Sequence, residues 1–385
     1  MNICIITLGF PTPSQPGIFA FVDQLACAWA DVGHTVVVIC PVPAFVELID
    51  KKRFYKAKWN RETQKGNKVT VFCPRFFSAS EKVILGIDTQ PFSYKSFQRA
   101  VIRTLEEMKE KPDVLYGHFI PSGCHAGDVG QRLGIPAFCA VGESSLWSIM
   151  GWDVDRARNS LKKLLGIISV STENKRILID NDLFREKDIE IFPNGVDHSL
   201  FRRLNKQEVR RKFGFPENAF TGAYTGAFTD SKGVLRAQKA AIGAENVKMI
   251  YIGGGELIPK GSNILFCSKL HHELIPEYLN SADFFILPTK AEGCCNAIVE
   301  AMACGLPIIS AKGAYNDDIL SESFSIRTEP EDVQGMISAI QYLKNDKKRR
   351  EEMSAAAERA SLEFDIQKRA TSIVDFMKRK IAEGH

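Results

Sequence analysis

Two carboxylates, Glu292 and Glu300, bracket a run of small residues in the segment AEGCCNAIVEAMACGLPIIS, which otherwise reads as buried. Ionised carboxylates are seldom set among apolar neighbours without partners. The apolar stretch DFFILP ends at Pro288, Glu292 and Gly293 fall in the following loop, and a helix is expected to begin near Cys295. Asn296 and Ala297 then occupy its first turn, where backbone N–H groups have no acceptor inside the helix. A helix start of this kind attracts anions, and a phosphate suits it. Glu300 lies four residues beyond Asn296 and so faces the same ligand. Beside a bound diphosphate a carboxylate repels the phosphate, and its natural partners are the paired hydroxyls of a ribose or hexose. Glu292 would meet one polyol and Glu300 another. The plainer alternative makes Glu292 a helix cap and turns Glu300 to solvent.

Short apolar strands alternate with helical patterns along the whole chain, the arrangement of parallel sheets covered by helices. NICIITL, HTVVVIC, DVLYGHF and IPAFCAV read as strands of a first lobe, with IFAFVDQLACAWADVG as its first helix. The turn-rich link EIFPNGVDHSLF, with Pro193, Asn194 and Gly195, separates this lobe (1–195) from a second (205–363). The second lobe restarts the pattern with FTGAYTG, VKMIYIG, NILFCS and DFFILPT as strands. A closing amphipathic helix, 364–385, is expected to pack back on the first lobe. The fold expected is α/β, two Rossmann-like doubly wound parallel-sheet lobes facing a central cleft. Ligands of such sheets bind beyond the carboxyl ends of the strands.

The segment EGCCNAIVEAMACGLP resembles the E-x7-E segment of the retaining glycosyltransferases of family four, which have the GT-B fold. Further matches follow in order: PGIFAFVDQLACAWADVGHTVVV, PDVLYGHF, FPNGVDHSLF, SKGV after TGAFTD, YIGGGEL and LNSADFFILPTKAEG, together spanning about Met1 to Ser310. The resemblance implies that Glu292 contacts the donor hexose near the reaction centre and that Glu300 holds the nucleotide ribose. The amides of Asn296 and Ala297 would receive the diphosphate, and Lys232 would neutralise it as it leaves. Gly17 matches the glycine loop of the first lobe, and Gly226 the glycine of TGAF. Leu270 matches a base-contacting position, and His118 the acceptor-side histidine. One departure stands out. The family usually carries arginine directly after that second glycine, where this chain has Ala227. Lys290 is the candidate substitute in the phosphate clamp, with Lys312 behind it.

Other chemistries fit less well. The D-x-D pairs Asp153/Asp155 and Asp180/Asp182 do not follow an apolar strand as a metal-binding pair of that kind requires, so no metal is expected. GGGELI lacks the third glycine of a dinucleotide fingerprint, and no P-loop or G-x-S-x-G is present. A net charge of +4 over 385 residues is too mild to indicate nucleic acid. The ten cysteines follow no disulfide or zinc spacing and read as reduced thiols of a cytoplasmic protein. MNICIITLGF reads as a first strand and not as a signal peptide.

In KKRFYKAKWNRETQKGNK, Lys51, Lys52, Arg53, Lys56, Lys58, Arg61, Lys65 and Lys68 oppose the single Glu62, with Phe54, Tyr55 and Trp59 interleaved. This surface would suit an anionic membrane face, extended by Arg156, Arg158, Lys162 and Lys163, and the alternative is a solvated insertion. The function expected is a retaining, metal-independent hexosyltransferase without a cofactor, peripheral at the inner face of the plasma membrane. Its substrates would be a UDP- or GDP-linked sugar and a glycan or lipid-linked acceptor, in synthesis of cell-surface polysaccharide or glycolipid. The alternatives are a nucleotide-sugar epimerase of the same fold, or a non-catalytic relative that binds nucleotide-sugar or glycan.

Overall fold

The computed structural model describes residues 1–12, 17–45, 56–78, 83–84, 87–143 and 154–384. The chain forms two compact units. One comprises Met1–Val170, Asn174–Phe192 and Ala370–His385, and the other Ser171–Glu173 with Pro193–Arg369.

The strands of the first unit are β1 (Asn2–Ile6), β2 (Thr35–Ile39), β3 (Val42–Pro43), β4 (Lys58–Glu62), β5 (Lys68–Phe72) and β6 (Arg75–Phe76). They continue with β7 (Val83–Ile84), β8 (Ile87–Asp88), β9 (Val114–His118), β10 (Ala137–Val141), β11 (Gly166–Ser169) and β12 (Ile189–Ile191). Eight of them make one sheet in the order β12-β11-β10-β9-β1-β2-β5-β4. Its central strands are buried on both faces, which is why NICII and TVVVI are apolar without alternation. β4 is the exception. It runs antiparallel to β5, with Trp59 opposite Val71 and Arg61 opposite Val69, so Lys58–Glu62 of the basic segment is a sheet edge, neither a parallel element nor a loose insertion. Lys51, Lys52 and Arg53 lie outside the described residues.

The first unit is completed by the chain's last helix, Ile366–Glu383. Trp29, fully buried on the helix Ala20–Asp31, donates its indole N–H to Ala370 O at 2.9 Å. Phe376 packs its ring 6.0 Å from Phe138 and 5.7 Å from Phe192. The same helix begins in the second unit. There Val196 N–H donates to Phe364 O at 2.7 Å, and Arg369 Nε donates to Pro193 O at 2.7 Å. The division between the units therefore falls after Phe192, ahead of the expected 195, and residues 364–369 belong with the second unit.

The second unit is one parallel sheet of β13 (Phe220–Thr225), β14 (Val247–Ile252), β15 (Ile264–Ser268), β16 (Phe284–Leu287), β17 (Ile308–Ala311) and β18 (Ser325–Thr328). The order is β15-β14-β13-β16-β17-β18. The winding reverses between β13 and β16, so the loops leaving their carboxyl ends diverge and open a crevice. In the first sheet the reversal lies between β1 and β9. Gly17 follows β1 and His118 ends β9. No helix among the described residues is long and apolar enough to cross a membrane, and all ten cysteines are free thiols.

Candidate active site

The loop after β13 carries Gly226, Ala227 and Lys232. Gly226 N–H donates to Ile252 O at 3.0 Å. The buried Tyr224 hydroxyl donates to Ala227 O at 2.9 Å and lies 3.3 Å from Lys232 O, which pins the loop from below. Against it lies the glycine run after β14. Gly253 has φ +151°, and a Cβ there would fall 1.9 Å from Gly226 O. Only glycine permits that approach.

Lys232 Nζ meets Glu292 Oε1 at 2.5 Å across the switch point. The Lys232 side chain is 28% exposed and that of Glu292 11%, so the pair is only partly open to solvent. The two loops are stitched together by Lys290 N–H donating to Ser231 O at 2.8 Å. Asn194 secures the second loop from outside, its backbone N–H 3.3 Å from Cys294 Sγ and its side-chain amide 3.1 Å from Cys294 O.

The helix that follows runs Asn296–Ala303, with Cys295 as N-cap in an extended conformation and no side-chain cap. Glu292 is therefore a partner of Lys232 and not a helix cap. The first-turn amides of Asn296 and Ala297 have no acceptor among the described residues, and the buried Asn296 Oδ1 also lacks a partner. These unmatched groups and the positive end of the helix suit an incoming anion. Glu300, one turn further, is 8% exposed and so does not face solvent. It accepts a hydrogen bond from His272 Nε2 at 2.8 Å.

His272 was not legible as a site residue. It opens the turn His272–Leu274 just past Leu270, which is half-buried beyond the end of β15. Burial alone would lower its pKa, but the hydrogen bond and charge of Glu300 outweigh burial and hold it above the ordinary histidine value. We expect His272→Ala to raise the donor KM about tenfold with kcat little changed, as loss of a positioning hydrogen bond to a charged group implies. An unchanged KM would remove His272 from the donor site. The imidazolium's contribution to stability is full below the unfolded value near pH 6.5, and it is lost as pH rises through the higher folded value.

The Lys290 side chain has other partners here. Its ammonium is held by Asp230 Oδ2 and Glu331 Oε1, both at 2.6 Å, and Arg236 Nη1 joins the same pair of carboxylates at 2.9 and 3.6 Å. Lys312 is exposed, with Glu329 at 3.6 Å. Both lysines thus have carboxylate partners, and Ala227 is exposed.

In the first unit His118 is buried, its ring centre 5.0 Å from Phe21 and 4.8 Å from Phe119. Phe119 has φ 70°, uncommon for a bulky residue. The next amide, Ile120 N–H, donates to Glu143 Oε1 at 2.6 Å, and Gly142 N–H donates to Glu143 Oε2 at 2.9 Å. Burial pushes the Glu143 carboxyl up to about 7, against these amide hydrogen bonds. Glu143 thus braces the turn after His118. Its signal in the sequence was a carboxylate placed just past the apolar strand AFCAV. Gly17 is exposed, and a Cβ there would touch nothing within 4 Å, so no described neighbour demands glycine.

Of the paired acids, Asp155 and Asp182 engage Arg158 and Asp180 engages Arg176, while Asp153 lies outside the described residues. Among the described residues no three His, Cys, Asp or Glu side chains group as metal ligands.

Two family models divide the chain between them. Glycosyltransferase Family 4 matches residues 60–200, and Glycosyl transferases group 1 matches residues 205–360. The chain belongs to glycosyltransferase family four. Among its relatives is a putative teichuronic acid biosynthesis glycosyltransferase of Bacillus subtilis, 24% identical over 357 residues and covering 88% of each chain. A UDP-Gal:alpha-D-GlcNAc-diphosphoundecaprenol alpha-1,3-galactosyltransferase of Escherichia coli is 27% identical over 268 residues, 62% of this glycosyltransferase and 68% of that one. The fold is GT-B. Solved structures that share it include a sucrose-phosphate synthase from Thermosynechococcus elongatus, with TM-score 0.75, 16% identity and 99% of each chain covered. Anabaena HepE in complex with UDP-glucose gives TM-score 0.72 at 17% identity, over 98% of the glycosyltransferase and 100% of HepE.

Proposed function

We propose that this glycosyltransferase moves a hexose, with retention of anomeric configuration and without a metal or other cofactor, from a UDP- or GDP-linked donor to a hydroxyl of a glycan or lipid-linked acceptor. Its product would enter a cell-surface polysaccharide or glycolipid. The observation that carries this reading is the Lys232–Glu292 contact beside the uncapped helix Asn296–Ala303, with Glu300 held by His272 one turn inside. The helix amides and the Lys232 ammonium suit the two phosphates. Glu292 then turns to the hexose and Glu300 to the ribose. The acceptor oxygen bonds to the anomeric carbon as the bond from that carbon to the diphosphate breaks, and the acceptor proton passes to the departing diphosphate oxygen. Lys232 and the amides stabilise the charge that develops there, so no dedicated protein base is required. His118, braced through Glu143, is assigned to the acceptor. The names of the Bacillus subtilis and Escherichia coli relatives support a surface-glycan role, and the UDP-glucose bound to HepE supports a uridine donor.

A thermal-shift screen of UDP, GDP and their sugars identifies the donor, because a ligand that binds only the native state raises its stability. Donor consumption then decides the reaction. Release of nucleoside diphosphate only when acceptor is present supports transfer. Isomerised sugar without release would indicate an epimerase, and binding with neither outcome would indicate a non-catalytic relative. NMR of the product anomer tests retention, and activity undiminished by chelator tests independence from metal.

A further inference from the structure

Helix Val234–Gly243, which follows Lys232 and Gly233, carries Arg236 in its first turn. That is an unfavourable place for a cation, because the free N–H groups of a helix start already present positive charge. The neighbouring Val234, Ala237 and Ala240 are buried, and so is the Arg236 side chain, 7% exposed. Its Nε has no acceptor among the described residues. An apolar side chain here would avoid both penalties, and a buried ion pair is weak evidence for stability. The guanidinium is better explained by what it joins.

It joins three loops at the carboxyl edge of the second sheet. Nη1 meets Asp230 Oδ1 at 2.9 Å, on the loop after β13, and Glu331 Oε1 at 3.6 Å, beyond β18. Nη2 donates to Pro288 O at 3.1 Å, at the end of β16. Gly233 lies against the same point. Its φ is +73°, and a Cβ there would fall 2.5 Å from Pro288 O and 2.9 Å from Arg236 Nη2. Only glycine fits, so the backbone next to Lys232 rests on the guanidinium and on the end of β16. Two residues past Pro288, Lys290 N–H donates to the carbonyl of Ser231, which precedes Lys232, and Glu292 follows on the same loop.

We infer that Arg236 is a positioning residue: it staples the loop bearing Lys232 to the loop bearing Glu292 and so sets where the Lys232 ammonium stands. A planar fork of directed donors holds a carboxylate and a carbonyl in fixed relation, as a lysine ammonium does not. The effect on catalysis, which rests on the glycosyl-transfer reading, passes through Lys232. Charge stabilisation depends on that ammonium standing at a fixed point as the diphosphate leaves.

The test combines amide hydrogen exchange with a kinetic double-mutant cycle, both on the full chain. In Arg236→Met, exchange in peptides covering 226–233 and 288–293 should accelerate at least about tenfold, while peptides from β14 and β17 keep parent rates. The kcat should fall about tenfold or more with the donor KM within about threefold, the scale of a small misplacement at a reacting centre. In the Lys232→Ala background the same substitution should cost less than about twofold, since the group it positions is gone. A merely structural role would lower kcat by the same factor in both backgrounds. Parent-like exchange in both loops, or equal kinetic losses in the two backgrounds, would overturn the proposal. Should circular dichroism show that Arg236→Met does not fold, Asp230→Ala, at an exposed position, removes the carboxylate end of the staple and repeats the test. Exchange is measured without donor or acceptor. A parent that consumes no donor therefore ends the glycosyl-transfer reading, while the loop measurement still decides the staple.

Discussion

Lys232→Ala is expected to lower kcat about a hundredfold while changing the donor KM by less than about threefold, the scale seen when one preorganised charge-stabilising donor is removed. Families with a lysine–arginine clamp share this work between two cations. Here Ala227 contributes none, and Lys290 is engaged by Asp230 and Glu331, so the side-chain contribution is expected to come mainly from Lys232. Before the donor arrives its ammonium is in contact with Glu292 at 2.5 Å, and a diphosphate offers a stronger counter-charge in the same place. The variant should fold normally, because the pair is partly open to solvent and such pairs contribute little to stability. Glu292→Ala should lower turnover at least tenfold by a different route, loss of contact with the hexose. Steady-state rates with the donor found by thermal shift check both, and parent-like turnover in Lys232→Ala would withdraw the role assigned to it.

A second large effect is expected at the opposite end of the same sheet. Asp283, just before β16, accepts from Arg210 Nη2 at 2.8 Å, Lys206 Nζ at 2.7 Å and Thr221 N–H at 2.8 Å. The Arg210 side chain is only 4% exposed, and its remaining hydrogen bonds go to Ser281 O and Glu217 O. Asp283→Ala removes the one carboxylate paired with that buried guanidinium among the described residues and should cost about 3–5 kcal/mol. For a unit of this size the thermal midpoint would fall by roughly 10 °C. Burial alone would raise the Asp283 pKa, but Lys206 and Arg210 outweigh it and hold the carboxyl below its ordinary range. The sign follows. The stabilisation is complete above the unfolded carboxylate value near 4 and disappears as pH falls through the lower folded one. Midpoints of the parent and Asp283→Asn should therefore converge in acid, and a constant difference down to pH 2 would contradict the assignment.

These two cases mark what the residues alone disclosed. The candidate site was legible where chemistry is local, since a strand, a loop acid and an uncapped helix start follow one another within fourteen residues, from Asp283 to Asn296. Partners distant in sequence were not. His272 and Glu300 are 28 positions apart and Lys290 and Asp230 are 60 apart. The family resemblance made Lys290 a candidate for the phosphate clamp, because nothing in its neighbourhood disclosed the opposing carboxylates. The alternating apolar elements disclosed two α/β units. The antiparallel β4 was hidden, because KWNRE is too polar to read as a strand until β5 supplies its ladder.

The helix Ile366–Glu383 imposes an order of events during synthesis. The first unit draws on both ends of the chain, and 177 residues of the second are made between Phe192 and Ala370. At cellular elongation rates that interval lasts on the order of ten to thirty seconds. Throughout it the Trp29 indole has no carbonyl to meet and the Phe138 ring no lid. The nascent first half must wait, partly bare, until residues 370–383 have been made.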